Sequence, residues 1–210
     1  MQLIGMLDSP YVRRVAVSLQ FLGLPFEHRS LSVFRTFDEF RGINPVVKAP
    51  TLVCDDGTVL MDSTLILEYA QGLAAPRSLL PTQPAARLCA LRLIGLALAL
   101  CEKSIQFYYE HQLRPPERRH APWVERVTGQ ARAAALALEE ELRRGTLPPP
   151  DAAIGQAGIS VAVAWDFVTR TVPAVMPPGE LAYLSGYTAA AERLPQFRAA
   201  PWGDGTYRPQ

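Results

Sequence analysis

The spacing of apolar residues changes period once along this chain. The change falls at Ala75-Pro76-Arg77-Ser78-Leu79-Leu80-Pro81-Thr82-Gln83-Pro84, a stretch whose prolines let neither a helix nor a central strand run through it. Before it, short apolar runs alternate with amphipathic ones; after it, the spacing is helical throughout. A small mixed α/β unit followed by an all-α unit is therefore expected, divided as residues 1–76, a linker over 77–83, and a helical domain over 84–210.

Within the first unit, residues 2–7 read as a strand, 10–23 as a helix closed by glycine, 26–31 as a second strand and 37–43 as a short helix or turn. Residues 51–54 and 58–61 flank Asp55-Asp56-Gly57, a hairpin signal, and 63–73 read as another helix, which gives the order β-α-β-α-β-β-α. The second unit reads as helices over 84–112, 118–144, 156–172 and 180–193. Breaks at Arg114-Pro115-Pro116, at 147–150 and at 175–179 separate them.

Composition excludes several functions. With 49% hydrophobic residues in 210, the chain has ample material for a packed core, and a net charge of +1 without a run of like charge implies no nucleic-acid partner. Lys48 and Lys103 are the only lysines among 21 basic residues, a bias that reads as genome composition. The longest apolar stretch, 88–101, is interrupted by Arg92 and falls short of the roughly 20 residues that span a bilayer, so no membrane segment is expected. Cys54, Cys89 and Cys101 form neither a disulfide framework nor a zinc spacing, and His28, His111 and His120 show no pairing with a Cys or acidic residue at ligand spacing; the expectation is a cytoplasmic protein without a metal.

Three segments carry candidate chemistry. In Asp8-Ser9-Pro10-Tyr11-Val12-Arg13-Arg14 the first strand hands over to the first helix, with Pro10 at its first position and Ser9 as the natural N-cap. A serine there is commonly only a cap, but a hydroxyl beside the positive end of a helix also suits an anion, and a thiolate is one. In Asn44-Pro45-Val46-Val47-Lys48-Ala49-Pro50-Thr51-Leu52-Val53, Pro50 opens a strand; a cis Ala49-Pro50 bond would present the Ala49 backbone as a peptide-like edge, though sequence leaves the isomer open. Lys48 beside it suits a ligand carboxylate. In Met61-Asp62-Ser63-Thr64, both Asp62 and Ser63 are N-cap candidates; as ligands, helix-end amides with the Ser63 hydroxyl would take a carboxylate and Asp62 an ammonium, the two ends of an α-amino acid.

The order of these features resembles the glutathione transferase superfamily over essentially the whole chain. The resemblance rests on Ser9-Pro10-Tyr11-Val12-Arg13-Arg14, Lys48-Ala49-Pro50-Thr51-Leu52 and Asp62-Ser63. Within the superfamily the chain is similar to bacterial serine-type members. The resemblance implies a thioredoxin-like N-terminal domain, glutathione as co-substrate, and a hydrogen bond from Ser9 to the glutathione sulfur. It further implies backbone pairing of Ala49, next to Pro50, with the cysteinyl unit, Asp62 and Ser63 at the γ-glutamyl end, Lys48 near the glycyl carboxylate, and a homodimer with Phe34 and Phe37 as candidate interface anchors.

Two departures stand out. The family commonly has Glu where Asp62 stands, and carries a capping box where this chain has Gly155-Gln156-Ala157-Gly158. A missing cap and an interior glycine each cost about 1 kcal/mol, so Gly155→Ser with Gly158→Asp is expected to raise the melting temperature.

The electrophile, a small hydrophobic molecule, is expected between the domains, near Tyr108, Tyr109 and Gln112 with Phe107 on the same helix, and with Tyr11 on the other wall. Core and pocket readings of Tyr108 and Tyr109 both stand open. Trp165 reads as core. Arg13 and Arg14 suit interdomain ion pairs more than substrate contact. Two other readings of the same fold are a glutathione-dependent thiol transferase or isomerase and a non-catalytic binding or regulatory protein. The first would need a nucleophilic Cys in the place of Ser9, and Cys54, in a strand, is a poor substitute.

Overall fold

The computed structural model describes residues 1–151, 153–176 and 179–208. Part of the expected proline-rich break at 175–179 and the last two residues of the expected helical domain lie outside them.

The first unit opens with β1 (Gln2–Ile4), α1 (Pro10–Leu22), β2 (Glu27–Arg29) and α2 (Phe37–Ile43). It continues with β3 (Thr51–Val53), β4 (Val59–Met61) and α3 (Ser63–Ala74). The sheet order is β2-β1-β3-β4, with β2 parallel to β1 and the other two pairs antiparallel. This is the expected thioredoxin-like βαβαββα order. The strands are shorter than the apolar runs suggested; in β1 the 2–7 run breaks at Gly5, whose φ is 135°. Gly23, at φ 73°, closes α1 by donating its N–H to Gln20 O at 3.0 Å. Leu3, Ile4, Leu52, Val12, Val15, Leu19 and Ile66 are fully buried, each worth about 1.5–3 kcal/mol on leaving water.

The second unit contains α4 (Pro84–Gln112), α5 (Ala121–Arg143), α6 (Gln156–Thr171) and α7 (Ala182–Ala191), with α4 packed on α5 and α6. Arg92 does not interrupt α4, which by length and composition is apolar enough to cross a membrane. Here Ala90, Leu93, Ile94, Ala97, Leu100 and Cys101, at i, i+3, i+4 spacing, form its buried stripe. Trp165 is buried and donates its Nε1–H to Ser185 Oγ at 3.1 Å.

The compact units are Met1–Leu79 with Arg193–Gln210, and Leu80–Glu192. The chain's last stretch, expected within 84–210, thus returns to the α/β unit. Its short helix α8 (Pro195–Ala199) was not expected, because Phe197 is fully buried as an isolated apolar residue, without a periodic run. Arg13, also buried, donates Nε–H to Ala200 O at 2.8 Å, and its guanidinium lies 5.8 Å from the Phe197 ring centre. Arg13 thereby ties α1 to the chain's last stretch within the first unit.

At the start of α6, Gly155 occupies the N-cap without a side-chain cap, as expected, but Gly158 is no defect. A methyl group there would overlap the Tyr187 hydroxyl and stand 2.7 Å from Ile154 Cγ1. Tyr187 occupies the space that a side chain at 158 would need, which reverses the sign expected for Gly158→Asp.

Candidate active site

Residues 5–9 join β1 to α1. Gly5 donates its N–H to Arg29 O at 3.1 Å and its carbonyl accepts from His28 Nε2 at 2.7 Å. A Cβ at Gly5 would meet Val12 Cγ2 at 2.6 Å and Ala49 Cβ at 3.1 Å, so glycine is what lets this turn lie against the Ala49 loop. Burial pushes the Asp8 carboxyl up from its ordinary range; the Ser9 amide and Arg35 oppose this, and Asp204 adds to it.

Ser9 sits at the N-cap of α1 in extended conformation, as the sequence indicates, and its carbonyl accepts from Arg13 N–H at 2.9 Å. Its hydroxyl, half-buried with the rest of the residue, makes no bond to the helix amides. The capping role that would have accounted for this serine is therefore not filled.

The Ala49-Pro50 peptide is cis. The loop before it is fixed by Asn44, which is buried: Nδ2 donates to Thr51 Oγ1 at 2.8 Å, Oδ1 accepts from Val46 N–H at 3.0 Å, and the Thr51 hydroxyl donates to Lys48 O at 2.7 Å. Neither Asn44 nor Thr51 was singled out from sequence, although an Asn directly before Pro45 is a turn signal of its own.

Asp62 and Ser63 divide the work at the start of α3. Asp62 is the N-cap, at φ 73°, and Oδ1 accepts from Thr64 N–H at 2.9 Å. Lys48 donates Nζ–H to Asp62 Oδ2 at 3.4 Å. Burial disfavours the Asp62 carboxylate, but the Thr64 amide and Lys48 outweigh it and hold the group below the usual range. Sequence reading put Lys48 and Asp62 at opposite ends of a tripeptide; the fold pairs them with each other. Ser63 is buried, and its Oγ accepts from Arg14 Nη1 at 3.0 Å, with Thr64 Oγ1 at 3.3 Å from the same nitrogen. Arg14, 3% exposed, thus supports the start of α3 from behind. The sequence showed only that it lies five residues beyond Ser9 on α1.

Ser9, Ala49, Pro50, Lys48, Asp62, Ser63 and Tyr11 all belong to the α/β unit. Tyr108, Tyr109 and Gln112 lie on the last turns of α4 in the other; Tyr108 is half-buried and its ring centre stands 6.1 Å from that of Tyr109, which is exposed. Cys54 is buried at the end of β3, and burial pushes its thiol up, the opposite of what a nucleophile requires. Among the described residues no group of three or more His, Cys, Asp or Glu side chains is arranged to hold a metal ion.

Residues 3–78 match the family model described as glutathione S-transferase, N-terminal domain. The chain is 26% identical over 173 residues to the GST-like protein YibF of Escherichia coli K12, covering 82% of this chain and 85% of that one. Over 90 residues it is 30% identical to glutathione S-transferase U4 of Arabidopsis thaliana, covering 43% and 40% of the two chains. Among solved structures, a glutathione transferase family member from Pseudomonas fluorescens Pf-5, with bound S-(propanoic acid)-glutathione, superposes at a TM-score of 0.78. It has 27% identity, over the full length of both chains. A glutathione S-transferase from Methylobacillus flagellatus has a TM-score of 0.82 at 20% identity, covering 95% of this chain and 98% of that one, a likeness of fold. Residues 3–78 thus match the glutathione S-transferase N-terminal domain, and the whole-length structural likeness supports the glutathione transferase superfamily for this chain.

Proposed function

We propose that the chain is a glutathione transferase of the bacterial serine type, in which Ser9 donates its hydroxyl hydrogen to the glutathione sulfur and holds it as thiolate for attack on a small hydrophobic electrophile. The observation that carries this reading is the Ser9 hydroxyl, seated at a helix N-terminus and not spent on capping it. A free thiol has a pKa near 8.5, so a hundredfold gain in the thiolate fraction takes roughly 2.7 kcal/mol. One hydrogen bond to a charged acceptor contributes about 1.5–3 kcal/mol and the end of a helix up to about 1 more. Together they are sufficient. The proton leaves to water, so no general base is needed.

In this reading the Ala49 backbone, next to cis Pro50, pairs with the cysteinyl unit, and Ser63 with Asp62 takes the γ-glutamyl end. Asp62 reaches the ammonium with the carboxylate face not spent on Thr64, and Lys48 stands beside it with the glycyl carboxylate as its second partner. That the Pseudomonas fluorescens relative is also seen with bound glutathione, at 27% identity, supports glutathione as the ligand. We assign contacts with the electrophile to Tyr108, Tyr109 and Gln112 on α4. The α/β unit would carry glutathione and the helical unit the electrophile's specificity, with the boundary in 77–83.

We also propose a cytoplasmic homodimer with a detoxifying role. Phe34 and Phe37 are 55% and 45% exposed, so they do not shield the unit's own core, and Leu65, Tyr69 and Leu73 leave a face of α3 open at i, i+4, i+8 spacing. Calorimetry with glutathione followed by a conjugation assay with an aryl halide tests the function. Saturable binding with turnover is expected. Binding without turnover favours a storage or regulatory protein, and no binding refutes the reading.

A further inference from the structure

Resting on the glutathione site proposed above, we infer that Arg14 is a positioning residue that makes this site selective for ligands carrying a free α-carboxylate, acting through the Ser63 hydroxyl. A guanidinium has donors only, so a serine oxygen that receives one has its lone-pair side turned to the arginine and its own hydrogen turned elsewhere. Arg14 lies behind Ser63, with Nη1 at 3.0 Å from Oγ. It is buried on α1 and also reaches Thr64 Oγ1, so it spans the two segments that frame the site, the helix after Ser9 and the start of α3.

The position matters because of Asp62. A helix N-terminus ordinarily attracts a carboxylate through its free amides and its positive end. Here the Asp62 carboxylate already accepts from Thr64 N–H and is favoured by the Leu65 amide as well, so the start of α3 has an internal anion. A second carboxylate arriving at Ser63 meets that negative charge. Lys48 offsets it on the exposed side, 3.4 Å from Oδ2. On the buried side Arg14 sets a guanidinium directly against the Ser63 oxygen, where the lower dielectric strengthens what its charge does to that hydroxyl. The same guanidinium polarises the Ser63 O–H, which strengthens it as a donor. Removing the charge would therefore weaken recognition of a carboxylate specifically, whereas a side chain that only stapled α1 to α3 would, when lost, weaken every ligand alike.

Three tripeptides separate these roles: glutathione; 4-aminobutyryl-Cys-Gly, which lacks the α-carboxylate; and glutaryl-Cys-Gly, which keeps it but lacks the amine. Dissociation constants are measured by calorimetry for the wild type, Arg14→Met, Arg14→Lys and Ser63→Ala. In Arg14→Met, the affinities for glutathione and glutaryl-Cys-Gly should fall tenfold or more while that for 4-aminobutyryl-Cys-Gly changes less than twofold. Arg14→Lys should recover part of the loss, and Ser63→Ala should reproduce the pattern. Equal weakening of all three ligands, or unchanged glutathione affinity, overturns the inference and leaves the glutathione site standing. A wild type that binds none of the three refutes that site, and the inference with it. If Arg14→Met does not fold, Arg14→Lys and Ser63→Ala decide: unchanged ligand ratios in both overturn it.

Discussion

The helices that begin at Ser9 and at Asp62 start with the same kind of residue and use it in opposite ways. At α3 the Asp62 carboxylate caps the helix, accepts from Thr64 N–H and is paired with Lys48. At α1 the Ser9 hydroxyl makes no cap. Pro10 has already removed one amide that would need capping, and the Ser9 backbone alone sets the helix's direction. A polar side chain at a helix start is therefore informative in proportion to what it leaves undone: Asp62 is explained mostly by folding, Ser9 is not.

The comparison breaks or holds first on activity. Ser9→Ala should lower kcat/KM for conjugation tenfold or more while shifting stability by less than about 0.5 kcal/mol, because no capping bond is lost. A fall in stability near 1 kcal/mol, read by denaturant midpoint, would make Ser9 a cap like Asp62.

A third helix start sharpens the contrast. At α6 no side chain caps, and Tyr187 fills the space beside Gly158. Gly158→Asp should therefore destabilise by about 1–3 kcal/mol through overpacking, and Gly158→Asp combined with Tyr187→Phe should recover part of that loss. A rise in melting temperature for the single variant would show that a cap was simply missing.

Asp62→Ala should cost about 1 kcal/mol of stability in addition to weakening glutathione binding, the mixed effect that Ser9→Ala lacks. Thermal melts with and without glutathione separate the two parts.

The smallest effect concerns pH and reaches only the Ser9 turn. His28 is tied to Gly5 O through Nε2 and accepts from Tyr207 N–H through Nδ1 at 2.9 Å, an arrangement only the neutral ring satisfies. Burial pushes its pKa below the ordinary value of 6.5, and the Gly5 carbonyl opposes this without reversing it. As pH falls below that ordinary value the unfolded chain takes up a proton that the folded chain resists, so stability is full above it and declines toward acid. His28→Gln should flatten that decline in a series of denaturant midpoints between pH 7.5 and 5; an unchanged slope would detach His28 from it.

Much of this was legible beforehand. The hairpin at Asp55-Asp56-Gly57, the period change near residue 76 and the proline-led helix at 10 are local signals, and the α/β-then-α order followed from them. What sequence could not give were pairings made by folding. Arg14 meets Ser63 across 49 positions, Lys48 turns to Asp62, and the segment after 193 returns to the first unit through single residues such as Phe197 and Tyr207. Gly158 read as a defect because Tyr187, which fills the space beside it, lies on another helix.

Thiolate formation here depends on whether the Ser9 hydroxyl serves the sulfur. The most direct measurement is the pKa of the glutathione thiol bound to the wild type and to Ser9→Ala, followed by thiolate absorbance across pH. The account predicts a bound thiol well below its free value of about 8.5 in the wild type, and higher by one or more pH units in the variant. The same titration in both proteins, with glutathione bound in each, would contradict it.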